Sequence, residues 1–242
     1  MYNIHIPPVV KNLLIINVIF FAATFMFRTH DGGYYLVENL SVFYFDSPFF
    51  KIWQPITYMF MHSPENFAHI FFNMFAVFMF GGVLESRWGA KRFLNFYLIT
   101  GLGALALQWG VQAFEVYQIA GTPIPGISTL SQIPNLTINQ QQTLAGIYGG
   151  PMLGASGAVF GLLVAFGMLY PNTELYIMFI PIPIKAKYLI PVYIVFELSM
   201  GVAKVQGDSV AHYAHLGGAL IGFILVKLWK DKDNNRFYRY YE

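Results

Sequence analysis

The sequence predicts an all-α membrane protein in which six transmembrane helices form a single domain over residues 1–242. Two observations predict this class. Of the 242 residues, 56% are apolar and only 11% are charged, whereas soluble domains carry about 25% charged residues. Six segments are also apolar and long enough for a helix of roughly 20 residues to cross a bilayer. A soluble globular enzyme is therefore not expected, and the same composition excludes a disordered chain.

Each predicted span is a stretch with few or no charged residues. In chain order the six spans are about residues 9–27, 67–86, 93–114, 152–170, 187–203 and 209–229. Prolines and lysines interrupt the fifth apolar segment before Lys187. We therefore expect that part to be a loop dipping into the membrane interface, with the helix beginning at Lys187.

The distribution of positive charge predicts the orientation of the bundle. Six spans place both termini on one side, and with the termini inside, 11 of the 14 Lys and Arg residues lie inside. Positive residues favour the cytoplasmic side, so we expect cytoplasmic termini in a plasma (inner) membrane. Two long external loops follow: 28–66, which is rich in aromatic residues and lies partly in the interface, and 115–151, which is expected to be irregular.

Polar residues within the spans are the candidate functional residues, because polar groups in a bilayer are costly. His69 and Asn73 in the second span are four residues apart, so they share one helix face. They can serve a reaction, or they can bond two helices together. His62, in the loop before this span, is a candidate for lining an aqueous cavity.

The fourth span opens with Gly154-Ala155-Ser156-Gly157. A serine between small residues at the start of a helix resembles a nucleophile elbow, and free N–H groups at a helix N-terminus suit a developing oxyanion. The alternative is that Gly154, Gly157 and Gly161 form one face that only packs against another helix.

The sixth span carries His212 and His215, followed by Gly218 and Gly222. His215 shares a face with these glycines, and docking that face on the fourth span brings His215 beside Ser156 at a similar depth. His215 is then the general base. His212 is expected to face water or a loop. Neither span has an acidic residue, so a Ser–His dyad is predicted and not a triad.

Taken together, these segments resemble the rhomboid intramembrane serine proteases, in their six-span form, from about Lys51 to Lys227. The similar patterns are HxxxN, GGxxExxxG, GxSG and AHxxGxxxG. They correspond, in chain order, to His69–Asn73, Gly81–Gly89, Gly154–Gly157 and Ala214–Gly222. One departure is Trp53-Gln54, which stands where many relatives have Trp-Arg; a loop-anchoring role of that cation is therefore in doubt.

The resemblance implies a role for each site residue. Ser156 is the nucleophile and His215 the base, while His69, Asn73 and the Ser156 N–H stabilise the oxyanion. Phe160 stacks on the His215 ring, and Glu85 makes structural hydrogen bonds. The supporting small residues are Gly154, Gly157, Gly218 and Gly222.

The implied function is an endopeptidase that cleaves transmembrane helices of other membrane proteins near their outer ends. Its partners are transmembrane protein substrates and membrane lipid, and no metal or small-molecule cofactor is implied. Nucleic acid is not expected at a net charge of +2 with scattered basic residues. The fifth helix and the loop 204–210 are expected to gate substrate entry. The alternative is a catalytically silent rhomboid-like protein that binds transmembrane clients.

Overall fold

The computed structural model describes residues 6–177, 180–203 and 211–238. In chain order the elements are α1 (Pro8–Met26), α2 (Tyr35–Leu40), α3 (Gln54–Thr57), a 3₁₀ turn (Tyr58–Phe60), α4 (Phe67–Ala76), a π-helical turn (Val77–Gly81), α5 (Gly82–Trp88), α6 (Ala90–Ala120), α7 (Gly126–Leu130), α8 (Ile138–Gly149), α9 (Ser156–Leu169), β1 (Glu174–Ile177), β2 (Ile180–Lys185), α10 (Ala186–Ala203) and α11 (His212–Tyr238). The described chain is predominantly helical, as the sequence predicts.

Four helical stretches of the described chain are long and apolar enough to cross a membrane: α1, α4 continued through α5, α6, and α10. Helix α9 is apolar but has only 14 residues, and α11 is not among the four. The chain is therefore a multi-pass membrane protein, while the number of six spans stays a prediction. Residues 204–210 lie outside the described residues, and with them the start of the predicted sixth span and the expected gating loop.

Three expected loop features differ in the structure. Helix α6 continues to Ala120, where Gly121 adopts the left-handed conformation that ends many helices. The predicted irregular loop 115–151 therefore contains the end of α6 together with α7 and α8, and α8 begins with a capping box between Thr137 and Gln140. The segment before Lys187 forms the antiparallel hairpin β1–β2, in which Glu174 pairs with Lys185. A two-stranded hairpin consists of edge strands, which tolerate the prolines of this segment.

Helix α9 lies at the centre of the bundle. Its Ala158, Leu162 and Ala165 are buried and pack in one cluster with Phe93 and Phe96 of α6. The outer helices show the opposite pattern. Among their exposed side chains are Ile15, Ile19, Phe71, Phe75, Val192 and Val195, each roughly half exposed or more. Soluble monomers rarely expose apolar patches of this extent, so these faces are suited to lipid.

The buried Gln54 anchors the first long loop. Its side-chain oxygen accepts hydrogen bonds from the Lys51 N–H (3.0 Å) and the Phe43 N–H (3.4 Å), and its amide nitrogen donates to the Phe49 carbonyl (3.1 Å). Gln54 is 0% exposed. The neutral amide thus anchors this loop at the position where the resemblance would place a cation.

Candidate active site

The backbones of α9 and α11 touch at their glycines. A Cβ on Gly218 would lie 1.8 Å from the carbonyl oxygen of Gly157, and one on Gly222 would lie 2.8 Å from the Cα of Gly161. Real Cβ atoms essentially never come within 3.0 Å of such atoms, so only glycine permits this approach. Helix α11 thus packs on the backbone of Gly157 and Gly161, whereas a Cβ on either of these glycines would meet Ala104 or Thr100 of α6. Gly154 precedes the helix and is not part of this contact.

This close approach brings Ser156 and His215 together. Ser156 is the first residue of α9, and His215 lies in the first turn of α11. Ser156 Oγ is 2.8 Å from His215 Nε2, a distance at which a proton can pass between them.

The Phe160 ring fixes the plane of the His215 imidazole. Phe160, one turn after Ser156, stacks on it with ring centroids 4.4 Å apart and an angle of 8° between the planes. This is the stacking that the resemblance implies. Tyr193 of α10 packs against Phe160 in turn, with ring centroids 5.1 Å apart.

An acidic side chain from α10 completes the surroundings of His215. Glu197 is 4% exposed, and its Oε2 lies 2.9 Å from His215 Nδ1 and 2.7 Å from His212 Nδ1. The prediction that His215 has no acidic partner is therefore wrong, because the carboxylate comes from the fifth predicted span. His212 is likewise buried against Glu197 and does not face water.

The sequence contained a signal for Glu197. It is the only acidic residue in the predicted fifth span, and a charged residue inside a span is by default a candidate functional residue. The sequence-based prediction considered only histidine, asparagine and serine in other spans, and it therefore missed this carboxylate.

His69 lies against the loop that precedes the serine. Gly154 has φ +128°, and a Cβ there would lie 2.7 Å from His69 Nε2, so only glycine lets the two groups meet. His69 Nδ1 accepts a long hydrogen bond of 3.4 Å from the Ser63 N–H. Because Nδ1 accepts, the ring hydrogen is assigned to Nε2, the nitrogen that faces the loop before Ser156.

Asn73 lies one turn after His69 and is buried. Its Nδ2 donates to the His69 carbonyl at 2.9 Å. An amide nitrogen has two hydrogens, so this bond leaves the second one available for another acceptor.

His62 packs edge-on against the His69 ring, with centroids 5.1 Å apart. It is 0% exposed, so it does not line a solvent-filled cavity. Burial, and secondly the neighbouring His69, lower the pKa of His62 to about 3, which keeps the ring neutral near pH 7.

Glu85 is buried, and its hydrogen bonds go to α1 and not to the residues around Ser156. Its two carboxylate oxygens accept hydrogen bonds from the Val9 N–H (2.9 Å) and the Val10 N–H (2.8 Å). These are N–H groups of the first turn of α1, which have no partner within their own helix. Glu85 thus caps α1 from α5, in keeping with a structural role.

Three side chains of the site offer ligand atoms that could hold a divalent metal ion. The ligand atoms of Glu197, His212 and His215 lie within 4.8 Å of one another. Imidazole nitrogen and carboxylate oxygen are ligands that zinc accepts.

Comparison with known proteins identifies similar chains. The sequence matches the Rhomboid domain over residues 50–230. It is 28% identical over 163 residues to Rhomboid protein 1, mitochondrial, of Saccharomyces cerevisiae, which covers 67% of this chain and 38% of that protein. It is 26% identical over 225 residues to Rhomboid-like protein 11, chloroplastic, of Arabidopsis thaliana, covering 89% of this chain and 63% of that one. It is also 26% identical over 184 residues to Rhomboid protease AarA of Providencia stuartii, covering 72% and 54%.

The chain thus spans between 38% and 63% of the length of these three relatives. Two of their names specify mitochondria or chloroplasts. They give no support to the plasma membrane expected from the sequence.

Proposed function

This chain belongs to the rhomboid family, and from that membership we propose that it is an intramembrane serine endopeptidase that cleaves transmembrane segments of other membrane proteins. The observation that supports this most directly is the 2.8 Å contact between Ser156 Oγ and His215 Nε2. A related chain, Rhomboid protease AarA, is named as a protease.

In the proposed reaction, His215 Nε2 takes the proton of the Ser156 hydroxyl while Oγ attacks the substrate carbonyl carbon. The negative charge that develops on the carbonyl oxygen is stabilised by the Ser156 N–H, His69 Nε2–H and the Asn73 amide. His215 then gives its proton to the leaving amine as the peptide bond breaks. A water molecule attacks the resulting ester by the same route and restores Ser156.

The substrate is proposed to unwind locally before it is cut, because the carbonyls of a helix are hydrogen-bonded within the helix. Glycine near its outer end eases this step, because glycine is about 1 kcal/mol less favourable in a helix than alanine. The bias of positive charge supports termini on the cytoplasmic side.

Purified protein in proteoliposomes with a single-span substrate tests the proposal. Ser156→Ala and His215→Ala are expected to lower cleavage by at least about 10³-fold. Two matched controls are Ser199→Ala, whose exposed hydroxyl donates to the Phe196 carbonyl of its own helix, and His30→Ala, at an exposed histidine. Both controls should keep wild-type rates.

A fluorophosphonate label adds a readout that needs no correct substrate, since it reacts with an activated serine. We expect the wild type to be labelled and Ser156→Ala not to be labelled. A chelator, which would remove a divalent metal ion from the site, should leave cleavage unchanged. Cleavage retained by Ser156→Ala would refute the mechanism. Wild type that neither cleaves nor labels would favour the catalytically silent, client-binding alternative.

A further inference from the structure

Glu197 places a carboxylate on the side of His215 that faces away from the serine. His215 Nε2 contacts Ser156 Oγ at 2.8 Å, and His215 Nδ1 contacts Glu197 Oε2 at 2.9 Å. All of Glu197 except a small fraction is buried. A buried carboxylate is costly unless hydrogen bonds satisfy it, so its place beside two imidazoles calls for an explanation.

The chemistry of the two contacts determines where the ring hydrogen lies. An ionised carboxylate only accepts hydrogen bonds, so the 2.9 Å contact requires a hydrogen on His215 Nδ1. The neutral ring then has its lone pair on Nε2, towards Ser156. Only this tautomer can accept the hydroxyl proton, because a ring with its hydrogen on Nε2 has no free electron pair there.

We propose that Glu197 is a positioning residue for the reaction: it holds His215 in the tautomer and ring orientation that accept the Ser156 proton, and it stabilises the imidazolium formed by that transfer. The inference rests on the proposed protease function. The proton passes from Ser156 Oγ to His215 Nε2 and from there to the leaving amine. Glu197 remains a carboxylate throughout.

His212 supports this arrangement from the neighbouring turn. Its Nδ1 lies 2.7 Å from the same Oε2 atom, so one carboxylate oxygen accepts from both rings. A second bond to the same oxygen restricts the rotamers of Glu197 and keeps Oε2 aimed at α11. The His212 ring also lies edge-on to the His215 ring, with centroids 6.3 Å apart, and the shared carboxylate oxygen links the two rings.

A purely structural role for Glu197, as a link between α10 and α11, predicts different behaviour. In that case each substitution should lower activity in proportion to the loss of folded protein. A positioning role predicts a fall in kcat with little change in KM. It also predicts that glutamine is worse than alanine, because an amide N–H can donate to Nδ1 and favour the tautomer with its hydrogen on Nε2.

The experiment measures kcat, KM and the thermal unfolding midpoint for Glu197→Asp, Glu197→Ala and Glu197→Gln in proteoliposomes. Glu174→Gln is the matched control, because it makes the same change at an exposed carboxylate on β1. We expect kcat to fall by about 10²-fold or more in Glu197→Gln, less in Glu197→Ala and least in Glu197→Asp, with KM within about threefold. Two results would overturn the proposal. One is a wild-type kcat in both Glu197→Ala and Glu197→Gln, and the other is a loss of kcat that is fully accounted for by the lower unfolding midpoint of each variant.

A measurement on the wild-type protein decides the question even where a variant does not fold. Nuclear magnetic resonance of protein with ¹⁵N-labelled histidine reads the tautomer of each ring, and His215→Gln assigns the resonance. The hydrogen on Nδ1 of His215 is expected, and the hydrogen on Nε2 would overturn the role of Glu197 while leaving the protease proposal intact. A wild-type protein that neither cleaves the substrate nor reacts with the fluorophosphonate would instead overturn the protease proposal, and the role of Glu197 with it.

Discussion

Substituting Gly218 by alanine forces α9 and α11 apart. The new Cβ would lie 1.8 Å from the carbonyl oxygen of Gly157 and 2.7 Å from its carbonyl carbon. Since such contacts are essentially never below 3.0 Å, the two helices must separate by at least about 1.2 Å at this point. Both atoms belong to the backbone, so no side-chain rotation can relieve the clash.

The separation reaches the reacting atoms because the serine and the histidine adjoin the two glycines. Ser156 precedes Gly157, and His215 is one turn before Gly218 on the same helix. If the full shift is transmitted, the distance from Ser156 Oγ to His215 Nε2 grows from 2.8 Å to about 4 Å, beyond hydrogen-bond range. A misplacement of about 1 Å costs roughly 10²-fold in rate, and overpacking costs about 1–3 kcal/mol of stability.

The assay compares cleavage and fluorophosphonate labelling of Gly218→Ala with those of Gly110→Ala. Gly110 lies within α6, and a Cβ there meets nothing within 4 Å, so this control makes the same chemical change without a clash. We expect Gly218→Ala to lose about 10²-fold in both readouts and Gly110→Ala to stay within about twofold of wild type. Wild-type labelling by Gly218→Ala would refute the idea that this glycine contact sets the distance between Ser156 and His215.

Two further predictions concern stability. Glu85→Gln leaves one N–H of the first turn of α1 without its carboxylate acceptor, so we expect a loss of about 1–3 kcal/mol in unfolding titrations in mixed micelles; an unchanged unfolding free energy would contradict the capping role, and the exposed Glu174→Gln is the control. His62 has a pKa of about 3 in the folded protein and about 6.5 when unfolded. Below pH 6.5 His62 therefore binds a proton in the unfolded chain but not in the folded chain, and the free energy of unfolding falls as the pH drops from 6.5 towards 3. The expected contribution at pH 5 is a loss of about 2 kcal/mol relative to pH 8. His62→Gln should remove that part of the pH dependence, and an equally steep dependence in the variant would show that other groups cause it.

The sequence predicted the features that depend on the spacing of residues along a single helix. The glycines of α9 and α11 repeat at helical intervals, and this spacing, together with the similar depth of the two predicted spans, predicted the docking that brings Ser156 to His215. The spacing wrongly included Gly154, which precedes α9. The contact between Glu197 and His215 joins residues 18 positions apart on different helices. Periodicity says nothing about which face of α10 turns towards α11, so this contact required the tertiary structure.

The errors in the loops have a similar cause. Hydropathy finds the uncharged part of a helix, and α6 continues beyond it to Ala120 through a segment that contains Glu115 and Gln118. The prolines before Lys187 indicate an interruption of helix, but they do not distinguish a loop from the hairpin β1–β2. In both regions the sequence showed where the apolar pattern ends, and backbone hydrogen bonding decided the structure beyond that point.

The position and the orientation of the His215 ring depend on different helices. The distance to Ser156 is set by backbone contact between α9 and α11 at Gly157 and Gly218, whereas the proposed control of the tautomer comes from Glu197 on α10. Helix α10 also has the smallest buried share among the four long apolar helices of the described chain, 22% against 28% to 33% for the others. A displacement of α10 would therefore withdraw the carboxylate from His215 while leaving the serine within reach. If α10 moves when a substrate enters, the site would be fully arranged for proton transfer only after that helix has returned.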